Sequence, residues 1–125
     1  MLVDTDVLVW YMRGNEKSKR AIQNLQGFSI SVVTYIELVQ GLRNKRELSV
    51  LRNSFKSWSA TIIYINEEIS TKAMFLVEQY FLSHSIQLAN ALIEATSTIY
   101  GLPLLTANTR HYKTIKNIIL KKFRP

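Results

Sequence analysis

The stretch at residues 1–14, MLVDTDVLVWYMRG, determines how the rest of the chain is interpreted. Its apolar residues Leu2 and Val3 predict a short buried strand that ends at Asp4 and Asp6. In an open α/β sheet, ligands bind in the crevice outside the carboxyl ends of the strands. Ionised carboxylates at that edge must be paired, solvated or bound to a cation. The function of this edge therefore depends on whether other acidic or polar groups converge on Asp4.

The composition indicates a basic protein with one core. The chain has 125 residues, of which 47% are hydrophobic, and this suits a single domain over residues 1–125. The 16 Lys and Arg residues outnumber the 9 Asp and Glu residues and give a net charge of +7, which favours a polyanionic partner such as nucleic acid. Cysteine is absent, which excludes a disulfide framework and a thiolate metal site.

The hydropathy pattern favours a cytoplasmic protein with no membrane segment. No apolar run approaches the roughly 20 residues that a membrane helix needs. Met1 leads directly into the first predicted strand, and this leaves no room for a cleaved signal.

Strand and helix patterns alternate along the chain. Short apolar or β-branched runs predict strands at residues 2–3, 28–33, 61–65, 102–106 and 118–120. Helical spacing predicts helices at residues 7–12, 16–25, 34–42, 45–58, 67–82 and 88–99, and a short helix that begins at Asn108. This alternation implies an α/β fold in which helices cover both faces of a mostly parallel sheet.

Oxygen ligands occur at several predicted strand and helix ends. Thr34 and Glu37 form a capping-box pattern, so Glu37 either caps its own helix or lies on the same rim as Asp4. Asn90 and Glu94 lie one turn apart on a later helix, where we interpret Glu94 as a residue that faces solvent. Asn108 follows the fourth predicted strand.

The available side chains favour hard-metal chemistry. There is no GxGxxG, P-loop or HExxH motif, and His84 and His111 have no Ser or Cys nucleophile beside them, so we interpret both as surface or capping groups. Carboxylate and amide oxygens suit Mg²⁺ or Mn²⁺. In a basic protein, a metal held by carboxylates favours phosphodiester hydrolysis.

Three segments make the chain resemble PIN-domain ribonucleases, specifically the VapC-type toxins of toxin–antitoxin pairs. They are LVDTDVLVWYMRG, SVVTYIELVQGL and LANALIEATSTIYGLPLLTANTRHY, in this order, and the resemblance covers nearly the whole length. It implies a PIN-like three-layer α/β/α sandwich with a parallel sheet of four or five strands. It also implies an endoribonuclease that uses Mg²⁺ or Mn²⁺, binds RNA and a small antitoxin protein, and forms a homodimer.

The resemblance also assigns site residues. It implies a catalytic, metal-binding set of Asp4, Glu37 and Asn90, with Asn108 and Asp6 as further metal ligands. Thr5 and Thr106 lie beside these residues and would position water or substrate.

Asn90 departs from the family pattern, which has Asp at that position. An amide still ligates through its oxygen but brings no negative charge. Two explanations remain open: the natural protein is a weakened enzyme, or the Asn was introduced to silence a toxic nuclease. The alternative function is therefore a PIN-like domain that binds RNA or an antitoxin without efficient cleavage.

A receiver-like phosphorelay domain also carries paired acids after its first strand. It would need an Asp at the end of its third strand, where this chain has Asn66. We therefore reject that interpretation.

Overall fold

The computed structural model describes residues 1–112, 115 and 117–125. Its strands are β1 (Leu2–Val3), β2 (Ser29–Ser31), β3 (Thr61–Ile63), β4 (Leu104–Thr106) and β5 (Leu120–Lys122). Its helices are α1 (Thr5–Met12), α2 (Glu16–Asn24), α3 (Val32–Gln40), α4 (Lys45–Ser57), α5 (Glu67–Tyr80) and α6 (Leu88–Tyr100), and a 3₁₀ turn covers Thr109–His111. Within these ranges, no helix has the length and apolar character needed to cross a membrane.

The strands form one parallel sheet in the order β3-β2-β1-β4-β5. The predicted α/β fold with four or five parallel strands is therefore confirmed. The chain first builds outward from β1 through β2 to β3, then returns to the other side of β1 to form β4 and β5. This reversal makes the carboxyl ends of β1 and β4 the switch point at which such sheets bind ligands.

Helices cover both faces of the sheet, so the predicted three-layer arrangement is also confirmed. Successive strand residues point to opposite faces. Val3 and Leu105 accordingly pack in a core with side chains from α1, α2, α3 and α4. Leu2 and Leu104 pack in a second core with side chains from α5 and α6. All four strand residues are 9% exposed or less.

The end of β2 differs from the sequence prediction. The strand was expected to continue through residue 33, but Val32 and Val33 already belong to α3. Ser31 is the N-cap, and its hydroxyl accepts a 3.1 Å hydrogen bond from the Val33 N–H. The β-branched residues misled the prediction because Val is common in strands but is tolerated in a helix.

Because α3 begins at Val32, residues 34 and 37 do not form the predicted capping box. Thr34 lies inside the first turn of α3, and Glu37 lies near the middle of the helix. The interpretation of Glu37 as the cap of its own helix is therefore wrong.

The last strand is displaced from the predicted residues 118–120. Strand β5 instead contains Lys121 and Lys122, which were expected in a solvated basic tail. Phe123 explains the register because it is only 6% exposed and packs in the core that contains Val3. Its N–H donates a 2.8 Å hydrogen bond to the Thr106 carbonyl, which continues the pairing with β4.

Two predicted helix boundaries that frame α5 and α6 are confirmed. The Asn66 side chain caps α5 by accepting a 2.9 Å hydrogen bond from the Ile69 N–H. Gly101 ends α6 in the left-handed conformation, with φ of 62°. This turn directs the chain into β4 beside β1.

Candidate active site

One pocket of about 330 Å³ opens at the switch point of the sheet. All five residues predicted for the site line it: Asp4, Asp6, Glu37, Asn90 and Asn108. The other lining residues are Thr5, Val9, Trp10, Arg13, His111 and Tyr112. The fold therefore brings together side chains from the start, middle and end of the chain.

Asp4 lies at the carboxyl end of β1 and is the N-cap of α1. Its Oδ1 accepts a 2.8 Å hydrogen bond from the Thr5 N–H. Its Oδ2 accepts hydrogen bonds from the hydroxyls of Thr106, at 2.8 Å, and Tyr112, at 3.1 Å. Burial raises the pKa of Asp4 although these hydrogen bonds oppose the shift. The structure thus holds this carboxylate in one orientation.

Asp6 lies in the first turn of α1 and forms an acidic pair with Asp4. Its Oδ2 accepts from the Ala107 N–H at 3.1 Å and from the Thr106 hydroxyl at 3.3 Å. Its Oδ1 is buried and has no hydrogen-bond partner among the residues that the structure describes. Burial, and then the charge of Asp4, raise the pKa of Asp6 to about 6. The acidic pair therefore favours a bound proton or cation.

Glu37 reaches the pocket from α3. Its Oε1 accepts a 2.7 Å hydrogen bond from the Thr5 hydroxyl. The Thr5 oxygen also lies 2.9 Å from the Thr34 hydroxyl. Thr5 therefore lies between Glu37 and Asp4. Its hydroxyl donates to Glu37, and its backbone N–H donates to Asp4.

The remaining polar groups lie on the opposite side of Asp4. The Tyr112 hydroxyl is 3.3 Å from Asn90 Oδ1, and His111 Nδ1 is 2.9 Å from Asn90 Nδ2. His111 Nε2 is 3.2 Å from Asn108 Nδ2. Tyr112 is 1% exposed, and burial, followed by the charge of Asp4, raises its pKa.

Sequence reasoning missed Tyr112 and assigned His111 only a surface or capping role. His111 is exposed, as expected, but its ring contacts the two site amides, Asn90 and Asn108. The only signal for Tyr112 was its place in the polar segment TANTRHY, directly after these groups in the sequence. Its buried hydroxyl could not be inferred without knowing that the segment folds over Asp4.

The donor set fits a hard cation that keeps much of its water shell. Within the described ranges, no three Asp, Glu, His or Cys side chains are grouped closely enough to hold a metal by themselves. Mg²⁺ is commonly bound by only one or two carboxylates together with water. The Asp4–Asp6 pair satisfies that requirement, and Asp6 Oδ1, which has no partner in the described part of the chain, is a buried oxygen that a cation or its water would satisfy.

Glu94 does not have the role expected from the sequence. It was predicted to face solvent, but it is 0% exposed because α6 packs against both α5 and α3. Its Oε1 accepts a 2.9 Å hydrogen bond from the Thr98 hydroxyl, and its Oε2 has no partner among the described residues. Glu94 does not line the pocket, so it does not replace a carboxylate at position 90.

Replacing Glu94 with Gln is expected to stabilise the protein at neutral pH. Burial raises the pKa of Glu94, so its favourable contribution is present at acidic pH and is lost as pH rises above the unfolded value of 4.5. We expect a gain of about 1–3 kcal/mol at pH 7, because the neutral amide of Gln removes the desolvation cost of a buried carboxylate charge. Thermal unfolding at pH 4 and pH 7 measures this gain, and Glu68→Gln, at an exposed site on α5, is the control. Equal stability of Glu94→Gln and the parent at pH 7 would contradict the expectation.

The chain is similar to known proteins over most of its length. The PIN domain family model matches residues 1–117. The chain is 34% identical over 122 residues to ribonuclease VapC1 of Methanocaldococcus jannaschii, covering 97% of this chain and 85% of that protein. It is 32% identical over 124 residues to ribonuclease VapC10 of Mycobacterium tuberculosis, covering 94% of this chain and 90% of that protein.

Solved structures share the same fold. The toxin–antitoxin complex from Klebsiella pneumoniae matches with a TM-score of 0.75 at 26% identity, covering 98% of both chains. The DNA-bound VapBC structure from Salmonella typhimurium matches with a TM-score of 0.83 at 19% identity, covering 97% of this chain and 96% of that one.

Proposed function

Because this chain belongs to the PIN domain family, we propose that it is a divalent-metal-dependent endoribonuclease and the toxin of a toxin–antitoxin pair. One observation carries the proposal: the Asp4–Asp6 pair and the Glu37 carboxylate line the same pocket, where they offer the oxygen ligands that a hard divalent cation prefers. The two relatives that cover most of the chain are named ribonucleases, and this supports RNA as the substrate.

Asp4 and Asp6 would hold the cation, with Glu37 bound directly or through water. Asn90 and Asn108 would contribute neutral oxygens from the other side of the pocket. When bound, a divalent cation activates water and stabilises the negative charge that builds up on the phosphate. The protein supplies the geometry, because Thr106 and Tyr112 fix Asp4 while Thr5 fixes Glu37.

Cationic side chains at the pocket would hold the RNA backbone. Arg13 lines the pocket, and its guanidinium lies 5.9 Å from the centre of the Trp10 ring. This stacking keeps Arg13 at the mouth, where it would contact a phosphate next to the one being cut. Phosphate contacts position RNA without reading its sequence, so the geometry favours backbone recognition here.

The antitoxin would bind beside the site. A larger groove of about 890 Å³ lies between α1, α3 and α4, and it shares Val9, Arg13 and Glu37 with the pocket. Apolar side chains such as Leu42 and Trp58 line it. The similar structure from Klebsiella pneumoniae is a toxin–antitoxin complex, which supports a protein partner for this chain.

A homodimer is part of the same proposal. Large apolar side chains are exposed on α5, on the turn that follows it and at the start of α6, at Met74, Phe75, Phe81, Leu82 and Leu88. An exposed apolar surface of this kind marks an interaction site. We assign it to a second copy of the chain because it lies apart from the α1, α3 and α4 groove proposed for the antitoxin.

Binding without cleavage is a second candidate function, and Asn90 is the observation that favours it. An amide at this position leaves the site with less negative charge for a cation. Under this alternative, the pocket would still bind RNA or be covered by the antitoxin, but no strand would be cut.

Metal-dependent cleavage separates the two functions. We expect the purified protein to cut single-stranded RNA when Mg²⁺ or Mn²⁺ is added and to leave it intact in EDTA. The assay uses end-labelled RNA, and gel retardation of the same RNA measures binding in parallel. RNA that is retarded but uncut at every metal concentration would favour the binding function over the nuclease.

A further inference from the structure

Polar contacts run in single file from the loop after β4 to the Asp4 carboxylate. The groups, in order, are Asn108, His111, Asn90, Tyr112 and Asp4. The successive distances are 3.2 Å, 2.9 Å, 3.3 Å and 3.1 Å. Each contact joins a nitrogen or oxygen atom of one group to a nitrogen or oxygen atom of the next group. The groups that have the fewest possible donor and acceptor arrangements therefore fix the direction in which hydrogens are donated along the series.

Tyr112 is the first such group because its hydroxyl has one proton and two neighbouring acceptors. Asp4 Oδ2 lies 3.1 Å away, and Asn90 Oδ1 lies 3.3 Å away. A carboxylate is the stronger acceptor, and it is also the nearer one here. The proton therefore goes to Asp4, and the Tyr112 oxygen is left to accept from Asn90.

Asn90 can donate to Tyr112 only through its amide nitrogen. Amide oxygen and nitrogen positions are interchangeable assignments that the hydrogen-bond network decides. With Nδ2 facing Tyr112, the Asn90 oxygen accepts from His111 Nδ1, which must then carry a hydrogen, and the second lone pair of that oxygen stays available to a cation. The neutral ring has its second nitrogen, Nε2, available to accept from Asn108 Nδ2, which already faces it.

We propose that Asn108, His111, Asn90 and Tyr112 form a directed hydrogen-bond relay toward Asp4, in which His111 and Tyr112 are positioning residues. Each of the four contacts in this arrangement joins one donor to one acceptor. In the reverse direction, the oxygen and nitrogen of the Asn108 amide would exchange places instead of those of Asn90. The Tyr112 hydroxyl would then donate to Asn90 and no longer to the buried Asp4. Aligned hydrogen bonds polarise one another, so the relay strengthens the last bond, to Asp4.

The relay gives Asn90 a role that Asp cannot perform. A carboxylate has no N–H to donate to Tyr112, so an Asp at position 90 would compete with Asp4 for the single Tyr112 proton. The purpose that we assign to the relay, which is to hold Asp4 for a cation, rests on the proposed nuclease function. The directions of the hydrogen bonds do not depend on that function.

The His111 tautomer tests the relay in the parent protein without metal. Long-range ¹H–¹⁵N NMR of ¹⁵N-labelled protein distinguishes a hydrogen on Nδ1 from one on Nε2. We expect the Nδ1–H tautomer to predominate for His111 at a pH where the ring is neutral. A predominant Nε2–H tautomer would overturn the proposal, because it belongs to the reverse direction.

Two variants test the positioning roles. Tyr112→Phe removes one hydroxyl and is expected to weaken Mn²⁺ binding about tenfold, the lower end of what outer-shell contacts contribute. It should also leave His111 as a mixture of tautomers, because Asn90 loses the acceptor that orients its amide. Asn90→Ala, at a half-buried helix position, should produce the same mixture if Tyr112→Phe fails to fold.

Tyr80→Phe is the matched control, because it removes a tyrosine hydroxyl on α5, away from the pocket. It should change neither the His111 tautomer nor Mn²⁺ binding, measured by calorimetry and by electron paramagnetic resonance. Unchanged tautomer and Mn²⁺ affinity in Tyr112→Phe would overturn the relay. An Nδ1–H tautomer in a parent protein that cuts no RNA would instead leave the relay standing and refute the nuclease.

Discussion

Asn90→Asp is expected to raise both Mn²⁺ affinity and metal-dependent RNase activity. Asn90 lines the same pocket as Asp4 and Asp6, so a carboxylate there adds a negative charge close to the cation. At an effective dielectric constant of about 20, unit charges about 4 Å apart interact by ~4 kcal/mol. Even a third of that energy changes affinity about tenfold. We therefore expect at least a tenfold gain in affinity, although the new carboxylate breaks the relay through Tyr112.

The double variant with Asp4→Ala tests whether the gain belongs to a shared site. Groups that hold one cation act as a unit, so the gain from Asn90→Asp should disappear without Asp4. Calorimetric titration with Mn²⁺ and an RNase assay with and without EDTA measure the effect. Equal affinity and activity in the parent and in Asn90→Asp would show that position 90 does not face the metal.

The second prediction concerns the stability of the metal-free protein as pH changes. Burial and the charge of Asp4 raise the pKa of Asp6 to about 6, above its ordinary value of 3.8. The folded state therefore keeps a proton that the unfolded state releases, and the stability that it confers is lost as pH rises through this window. Allowing for solvent screening of a partly exposed side chain, we expect a loss of about 2 kcal/mol between pH 4 and pH 7.

Asp6→Asn should remove the part of this pH dependence that comes from Asp6, leave the parts from Asp4 and Glu94, and stabilise the protein at pH 7. Thermal unfolding in EDTA at several pH values measures the effect, and Glu16→Gln, at an exposed position on α2, is the control. Adding Mg²⁺ at pH 7 should stabilise the parent more than Asp6→Asn. A parent protein that is as stable at pH 7 as at pH 4 in EDTA would contradict the raised pKa.

Much of the fold could be predicted because its signals are local. The apolar pair Leu2 and Val3, the Asn66 cap and the Gly101 turn each mark an element through the residues themselves. Of the boundaries that were wrong, one lay where two local signals conflict and the other depended on a distant contact. Val32 and Val33 have strand propensity, but Ser31 starts a helix there, and β5 moves because Phe123 enters the core.

The candidate site was likewise predicted where residues carry their own signal and missed where burial depends on the fold. Asp4, Glu37, Asn90 and Asn108 were selected from strand and helix ends together with a family resemblance, and the fold brings all of them to one pocket. Glu94 could not be predicted correctly, since a carboxylate one turn from Asn90 gives no sign in the sequence that its helix is buried along that side. Tyr112 was hidden for a related reason, because its hydroxyl meets Asp4 only in the folded chain, across 108 positions of sequence.

The central position of β1 affects when the site can form during synthesis. Asp4 leaves the ribosome long before Thr106 and Tyr112, which fix its carboxylate and follow it by 102 and 108 positions in the chain. Contacts of such high sequence separation form slowly because a long loop must close first. A nascent chain therefore has no assembled pocket until β4 and the following turn have emerged. A protein truncated before residue 104 would keep α5 and α6 and lack the strand that completes the site.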